Sequence, residues 1–263
     1  MRLSPSSTGF VDAIRRTNWR RRSAYARVFS KIYYAANPPT NLLDEQWDYL
    51  FILDAARSDL FRQALMSIAP ELIEDFSTIV SVGSTTKEWG YNTFRGRSLS
   101  GYGYVTATPM ITQFDLGASP SKLFEPFIDV SESEKDLFAK FGTIPPHLTS
   151  EAIINNLSKR PDRQWICHYL QPHLPFIAPD VSHDIMPVFV TDPSDENIWD
   201  LLADGDVSAE AVRSAYLANH RFVIQEVLWL LGELPPGKQV LISSDHGNAL
   251  GGWHGYHGHG EGM

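Results

Sequence analysis

The sequence predicts an α/β fold in three layers, with a mostly parallel sheet between helices on both of its faces. Three observations predict it. Short apolar runs alternate with longer segments of helical periodicity, which is the order that parallel sheets require. Several runs are apolar throughout, as in strands that are buried on both faces. The length of 263 residues suits one large domain, or one domain with an appendage.

Five apolar runs are predicted to be strands of this sheet. The first is continuously apolar and ends directly before Asp54, and the third is bounded by glycines and Pro109. In chain order, the predicted strands cover residues 47–53, 77–82, 102–108, 164–170 and 239–243. Ligands of such sheets bind at the carboxyl ends of the strands, so the residues that follow these runs are the candidates for function.

Three segments between the runs carry apolar residues at helical spacing. The longest is stopped by Gly232 and by two prolines that follow it, and His220 inside it is expected to be a core or surface residue. In chain order, the predicted helices cover residues 56–69, 149–159 and 209–231. Residues 178–207 are rich in Pro, Asp and Ser, and are predicted to form a long surface insertion.

The net charge of −9 hides two oppositely charged parts. Residues 1–40 carry eight Lys or Arg against one acid, a balance of +7, and the other 223 residues carry 14 against 30, a balance of −16. The acidic body is therefore a poor candidate for binding nucleic acid. The single cysteine, Cys167, excludes a disulfide framework and a multi-cysteine metal site. No apolar run reaches the roughly 18 residues of a membrane-spanning helix, and no secretory signal is recognised, so a cytoplasmic protein is expected.

Residues 1–40 are predicted to form a basic amphipathic arm, which Pro38 and Pro39 separate from the body. Within residues 10–34, basic residues are interleaved with aromatic and aliphatic residues at helical spacing. Three interpretations stay open. The arm packs on the acidic body, lies on an anionic membrane at its inner face, or binds an anion or a nucleic acid.

Polar side chains with metal-binding or nucleophilic chemistry lie at the ends of four predicted strands. In chain order they are Asp54, Ser84, Thr85, Thr86, His168, His173, Asp245 and His246. Helix capping explains any single Asp, Ser or Thr among them equally well. Together they supply oxygen ligands and imidazole nitrogens at one edge of the sheet, which favours a divalent cation.

A run of histidines among glycines lies near the end of the sequence. It consists of His246, His254, His257 and His259. Two interpretations stay open for it. The run is a flexible glycine-rich tail with incidental histidines, or it is a metal-binding tract.

Four sequence blocks, in this order and at this spacing, resemble the sulfatase-like branch of the alkaline phosphatase superfamily. They read DYLFILDAARSD at 48–59, SVGSTTKEW at 81–89, HYLQPHLPF at 168–176 and VLISSDHGNALGG at 240–252. The resemblance covers residues 47–263 and is nearest to uncharacterised prokaryotic sulfatase-like proteins. It implies an alkaline-phosphatase-like domain and a metal-dependent hydrolase or transferase that acts on phosphate esters, with sulfate esters less favoured.

The resemblance implies one divalent cation, Mn²⁺, Zn²⁺, Mg²⁺ or Ca²⁺, held by residues from three of the blocks. Asp54 corresponds to the N-terminal metal carboxylate, and Asp245 and His246 correspond to the C-terminal metal pair. Thr86 falls where the family places its nucleophile, and its hydroxyl is also implied as a metal ligand. The two hydroxyl residues before Thr86 stay open as the nucleophile if the register shifts.

Three further residues have substrate-binding roles by resemblance. His173 matches a histidine that contacts the oxyanion or the leaving group, and His259 resembles a second substrate or metal contact. Arg57 follows the first carboxylate as in the family and supports the site electrostatically. A helix is expected to begin near Lys87, with its positive end beside the anionic substrate.

The sequence departs from the family at three points. The turn reads STTKEW and Cys167 lies within a strand, so the formylglycine motif of sulfatases is missing and phosphoryl transfer through threonine is favoured. Two-metal members need extra Asp and His ligands, for which the sequence offers only loose candidates, and this favours one metal. The loose candidates are His168, His173, His257 and His259. The chain ends at Met263, shortly after the last block, as in a compact or C-terminally truncated member. The alternative function is a non-catalytic member that binds an anionic membrane or a partner through its basic arm.

Overall fold

The structure accounts for most of the predicted body of the chain. The computed structural model describes residues 28, 32–113, 116–181, 198–251 and 256–259. Most of the basic arm therefore lies outside the described residues, as do residues 182–197 of the predicted insertion and His254. Residues 32–36 are helical, and two-thirds of Ile32 is exposed. None of the helices in the described ranges is long and apolar enough to cross a bilayer.

Five parallel strands form the central sheet, which confirms the predicted α/β class. They are β1 (Tyr49–Leu53), β2 (Tyr102–Thr106), β3 (Phe127–Asp129), β4 (Gln164–Tyr169) and β5 (Val240–Ser243). Their order across the sheet is β3-β2-β4-β1-β5. β4 is the central strand, and β1 lies between β4 and β5, with Leu53 opposite Tyr169 of β4 and Ile52 opposite Ser243 of β5. Every strand except the short β3 was predicted at nearly these bounds.

Helices cover the sheet and include the three that the sequence predicts. They are α1 (Ser58–Ile68), α2 (Thr86–Phe94), α3 (Pro120–Leu123), α4 (Val130–Ser133), α5 (Lys135–Phe141), α6 (Pro146–Leu157), α7 (Ile198–Asp204) and α8 (Ala209–Glu233). Short 3-10 helices cover Leu42–Asp44, Pro70–Asp75 and Pro109–Gln113. Ser208 begins α8 by accepting a hydrogen bond from the backbone N–H of Ala211, as N-caps do.

Alternate side chains of the strands point into two apolar clusters, one on each face of the sheet. Phe51 and Leu53 of β1 face a cluster that includes side chains of α1, α6 and α8. Leu50 and Ile52 face the second cluster, where Trp89 of α2 is buried. Because β1 is buried on both faces, its sequence is continuously apolar, and this property made it predictable.

The prediction of a strand at residues 77–82 is wrong. The backbone N–H of Thr40 donates to the carbonyl of Val80 at 2.9 Å, and the hydroxyl of Ser81 donates to the carbonyl of Asp245. These contacts hold the segment without a strand ladder. Its β-branched residues favour an extended chain, but a strand also needs a hydrogen-bonded neighbour.

β5 therefore forms one edge of the sheet in the described part of the chain. A cavity of about 1040 Å³ lies beside it, lined by residues such as Ile79, Leu228 and Ile242. The cavity separates β5 from the segment that was predicted as a strand. Val240 of β5 is 39% exposed, whereas β1 and most of β4 are buried.

Two glycine- or proline-rich regions are more ordered than the sequence predicts. The predicted surface insertion at 178–207 ends in helix α7. Ile198 and Leu202 of α7 are buried in the main apolar cluster, so the prediction of a surface segment is wrong for this part. After β5, the antiparallel pair β6 (Ala249–Gly251) and β7 (Tyr256–Gly258) forms a hairpin. The hairpin turns the chain back, so that the residue after β7 lies near the end of β5.

Candidate active site

Two carboxylates and one histidine follow the neighbouring strands β1 and β5. Asp54 comes directly after β1, and Asp245 and His246 come two and three residues after the end of β5. Because these strands pair in parallel, their carboxyl ends emerge side by side. All three side chains are buried, with exposed fractions of 2%, 0% and 4%. The structure therefore brings together the three metal ligands that the resemblance implies.

Backbone hydrogen bonds orient the Asp245 carboxylate. The N–H groups of Ala55 and His246 donate to its Oδ1 atom at 2.9 and 2.8 Å. Ala55 has a φ of 60°, in the left-handed region that residues other than glycine rarely adopt. This bend after Asp54 turns the Ala55 N–H toward Asp245. The second carboxylate oxygen, Oδ2, remains for the interior of the site.

The polar atoms of the site are spaced as metal ligands are. Nε2 of His246 lies 3.6 Å from Oδ1 of Asp54 and 3.5 Å from Oδ2 of Asp245, and Oγ1 of Thr86 lies 3.3 Å from the same nitrogen. The two carboxylate distances exceed those of good hydrogen bonds. Ligands that bind one ion at about 2.1 Å lie about 3 to 4 Å from one another. Each of the three oxygen atoms therefore lies at such a distance from Nε2 of His246.

His168 at the end of β4 adds a second imidazole to this cluster. Its Nε2 atom lies 3.9 Å from Oδ2 of Asp245, and the residue is completely buried. One ligand atom each from Asp54, His168 and Asp245 lie within 4.8 Å of one another. The sequence gives His168 only as a loose candidate, so its position is a finding of the structure.

Three buried polar atoms of the cluster have no hydrogen-bond partner among the described residues. They are Oδ1 of Asp54, Nε2 of His168 and Oδ2 of Asp245. An unpaired polar atom in the interior costs about 1–3 kcal/mol, and more when it is charged. A divalent cation would satisfy all three atoms, because carboxylate oxygen and imidazole nitrogen both bind such ions. The residues present therefore fit a bound cation.

The carboxyl group of Asp54 is unusually reluctant to ionise. Burial raises its pKa well above the ordinary value, and the neighbouring charge of Asp245 raises it further. Two acidic groups thus share a buried space without a permanent positive charge. Metal binding to such a pair displaces a proton, because the ligand form of a carboxyl group is the carboxylate.

The histidines of the site are neutral at pH 7. Burial lowers the pKa of His168 to about 4, that of His246 to about 3 and that of His259 to about 2. Burial also lowers the pKa of His173. A neutral imidazole carries one lone pair on nitrogen, which is the form that binds metals and accepts protons.

Three hydroxyl groups precede or begin α2, and they have different partners. The Thr85 side chain caps the helix by accepting from the N–H of Glu88 at 3.1 Å, and the Ser84 hydroxyl donates to the Glu88 carboxylate at 2.6 Å. Thr86 is the first residue of α2, one position before the predicted start, and its hydroxyl faces His246. Of the three hydroxyls considered for the nucleophile, that of Thr86 lies 3.3 Å from the cluster, at Nε2 of His246.

The ring of His259 packs against the rings of His246 and His173. The ring of His259 is 4.4 Å from that of His246 and 5.6 Å from that of His173, measured between ring centres. Nδ1 of His173 is 2.7 Å from the carbonyl of Leu174, and Nδ1 of His259 is 2.5 Å from Oδ1 of Asn248. Because carbonyl oxygens only accept, both Nδ1 atoms donate, and both Nε2 atoms keep a lone pair.

Arg57 contacts the framework of the site rather than its interior. The guanidinium donates to the carbonyl of Asn248 at 2.7 Å and pairs with Asp59 at 2.8 Å. Within the described ranges, no hydrogen bond joins Arg57 to Asp54, Asp245 or His246. Arg57 holds the backbone of Asn248, whose side chain orients His259, so it supports the site indirectly.

Sequence reasoning missed the role of Asn248 and gave little weight to His168. A histidine in the otherwise apolar run of β4 is the signal for His168, because an unpaired imidazole is costly there. No comparable signal marks Asn248, since its contact with His259 depends on the β6–β7 hairpin.

No protein-family model matches this chain, and no curated protein matches it. The resemblance carried by the four sequence blocks therefore stays a prediction. The geometry and electrostatics of the cluster indicate what the site can do chemically.

Proposed function

We propose that the protein is a metal-dependent enzyme that hydrolyses or transfers phosphate esters, with Thr86 as its nucleophile. One observation carries the proposal. The Thr86 hydroxyl lies 3.3 Å from His246, whose ring is within 3.6 Å of two buried carboxylates. A weak nucleophile is thereby joined to a group of side chains suited to a cation, and threonine needs such help at neutral pH.

Asp54, Asp245 and His246 are the residues that would hold the cation, with the hydroxyl of Thr86 beside them. When bound, a divalent cation favours the deprotonated hydroxyl and neutralises charge on the ester. The fit is supported by the unpaired Oδ1 of Asp54 and Oδ2 of Asp245. Mn²⁺ and Zn²⁺ suit a mixed oxygen and nitrogen ligand set better than Ca²⁺ does.

The beginning of α2 supports the reacting groups. Thr86 is its first residue, so the positive end of the helix dipole lies beside the hydroxyl. In the first step, the Thr86 oxygen would form a bond to phosphorus while the bond to the leaving oxygen breaks, and the hydroxyl proton would pass through water to that leaving oxygen. The product of that step is a phosphothreonine at residue 86.

His173 and His259 are suited to the second step. Their neutral rings keep a lone pair on Nε2, so they accept a hydrogen bond from water or from an alcohol and orient it toward the phosphothreonine. This differs from the role expected from the resemblance, in which such a histidine contacts or protonates the leaving oxygen. Water as acceptor gives a hydrolase, and an alcohol gives a transferase.

Phosphate esters are favoured over sulfate esters because of the position of Cys167. The thiol is completely buried in β4, and burial raises its pKa. A sulfatase nucleophile derived from cysteine would have to reach the Asp54 and Asp245 carboxylates, and the Cys167 side chain instead belongs to the apolar cluster with Phe51.

The test is turnover of aryl phosphate monoesters, phosphate diesters and sulfates by the full chain with Mn²⁺ or Zn²⁺. Thr86→Ala is expected to lower turnover by about 10³-fold or more, and acid quenching of the native protein should trap phosphate on Thr86, detected by mass spectrometry. Thr93→Ala, at the buried far end of the same helix, is the matched control and should keep native turnover. Native turnover by Thr86→Ala would overturn the assignment of the nucleophile.

A further inference from the structure

We infer that His168 is a further nitrogen ligand of the cation, and that the Tyr104 hydroxyl holds its ring in the form that binds metal. This inference rests on the cation of the proposed function but concerns a residue outside the ligand set named there. It changes the expected ligands from one imidazole to two. The observations that carry it are the packing, the distances and the unpaired nitrogen of His168.

The strand order places His168 beside the carboxylates. In β4, His168 lies opposite Ile52 of β1 and opposite Thr106 of β2, near the carboxyl ends of both strands. Cys167 and Tyr169, its neighbours in β4, point to the opposite face of the sheet. The imidazole of His168 is thus directed to the face that also holds α2 and Thr86.

Aromatic side chains fix the plane of the His168 ring. The ring is parallel to that of Tyr104, with 7° between the planes, and Trp89 of α2 contacts it edge-on at 5.5 Å between ring centres. All three side chains are buried. In close packing of this kind, the ring cannot turn without displacing a neighbour. The direction of Nε2 is therefore set by the fold.

The two nitrogens of His168 have different surroundings. Nδ1 is 2.9 Å from the hydroxyl of Tyr104, whereas Nε2 has no hydrogen-bond partner among the described residues. The 3.9 Å from Nε2 to Oδ2 of Asp245 is too long for a hydrogen bond. When Nδ1–H donates to the Tyr104 oxygen, the lone pair of Nε2 points toward Asp54 and Asp245. This is the usual arrangement of a metal-binding histidine, whose second nitrogen donates to a neighbouring oxygen.

Two imidazoles with two carboxylates select a class of metal. Imidazole suits Zn²⁺ and other transition metals, whereas Mg²⁺ and Ca²⁺ prefer sites made of oxygen alone. The side chains of His168 and His246 together therefore make Zn²⁺ the expected occupant. Loss of His168 is expected to weaken Zn²⁺ binding far more than Mg²⁺ binding.

The experiment measures metal affinity of the full chain by competition with a chromophoric chelator, and the visible absorption of bound Co²⁺, which reports its ligands. His168→Gln is expected to lower Zn²⁺ affinity by about 100-fold or more and to change the Co²⁺ spectrum. Tyr104→Phe is expected to lower affinity by about 10- to 100-fold while the Co²⁺ spectrum keeps its nitrogen signature, since it removes only the group that orients the ligand.

The matched control is His220→Gln. His220 is also fully buried and also has an unpaired Nε2, but it lies in α8 outside the cluster, so its loss should leave Zn²⁺ affinity unchanged. The inference would be overturned if His168→Gln and Tyr104→Phe both bound Zn²⁺ with native affinity while Asp245→Asn lost binding. That result would leave the proposed function standing. No metal binding by the native protein would overturn both.

Discussion

Gly83→Ala is expected to disturb the turn that presents Thr86. An added Cβ at Gly83 would lie 2.2 Å from the backbone nitrogen of Trp89 and 2.7 Å from the carbonyl carbon of Glu88. Both atoms belong to the backbone of α2, so no side-chain rotation relieves the contact. The turn, the helix or both must move.

The size of the effect follows from these distances. Non-bonded heavy atoms normally stay about 3.5 Å apart, so relief requires a displacement of about 1 Å. Overpacking of this kind lowers the free energy of unfolding by about 1–3 kcal/mol. A misplacement of about 1 Å in a reacting group costs about 10²-fold in rate. Because Thr86 is three residues from Gly83, we expect kcat/KM for an aryl phosphate to fall by about 100-fold.

The assay compares thermal unfolding and aryl phosphate turnover of Gly83→Ala with those of Gly101→Ala. Gly101 precedes β2, and an added Cβ there meets no atom within 4 Å, so this control should match the native protein in both measurements. A melting temperature lowered by about 2–4 °C for each kcal/mol is expected for Gly83→Ala. Native stability and native turnover in this variant would refute the reasoning that close packing of Gly83 on α2 positions Thr86.

Two further predictions concern ionisable groups. Asp54→Asn should stabilise the metal-free protein at pH 8 and abolish stabilisation by Zn²⁺. The Asp54 carboxyl has a raised pKa in the native protein, so it lowers the free energy of unfolding increasingly as the pH rises above the ordinary carboxyl range. Equal melting temperatures of Asp54→Asn and the native protein, measured in chelator at pH 8, would contradict this. The pKa of His220 is lowered to about 4 in the folded protein. The neutral ring therefore contributes fully to stability above pH 6.5, and the free energy of unfolding falls by about 3 kcal/mol as the pH is lowered from 6.5 to 4. His220→Gln should flatten the denaturant-derived stability profile over that interval, and an unchanged slope would contradict the prediction.

The strands that the sequence predicts best are those whose burial is most uniform. β1 and β4 are buried on both faces, so their apolar runs are unbroken. β3 has three residues, all half-buried, and carries too little pattern to be recognised. Residues 77–82 have the composition of a strand, but their hydrogen bonds go to Thr40 and to the turn after β5. Amino-acid composition indicates which local backbone conformation a segment prefers, whereas strand pairing depends on distant parts of the chain.

Much of the candidate site follows from topology alone. Asp54, Asp245 and His246 follow two strands that turn out to be neighbours, so their convergence was predictable from their places in the sequence. His168 was harder, because its role depends on which way a buried ring turns. That direction is set by Tyr104 and Trp89, which lie far from it in the sequence.

The low proton affinity of the site histidines has a kinetic consequence on the proposed function. Around neutral pH, rings such as those of His246 and His259 offer an anionic ester no positive charge, and the nearby guanidinium of Arg57 is already paired with Asp59. Before a cation is present, the Asp245 side repels the ester. The ester is therefore expected to bind more weakly before the cation than after it, and free phosphate should protect the chelated protein from unfolding less than it protects the metal-loaded protein. On the proposed function, the concentration of free metal would then set how much of the protein is ready to bind the ester.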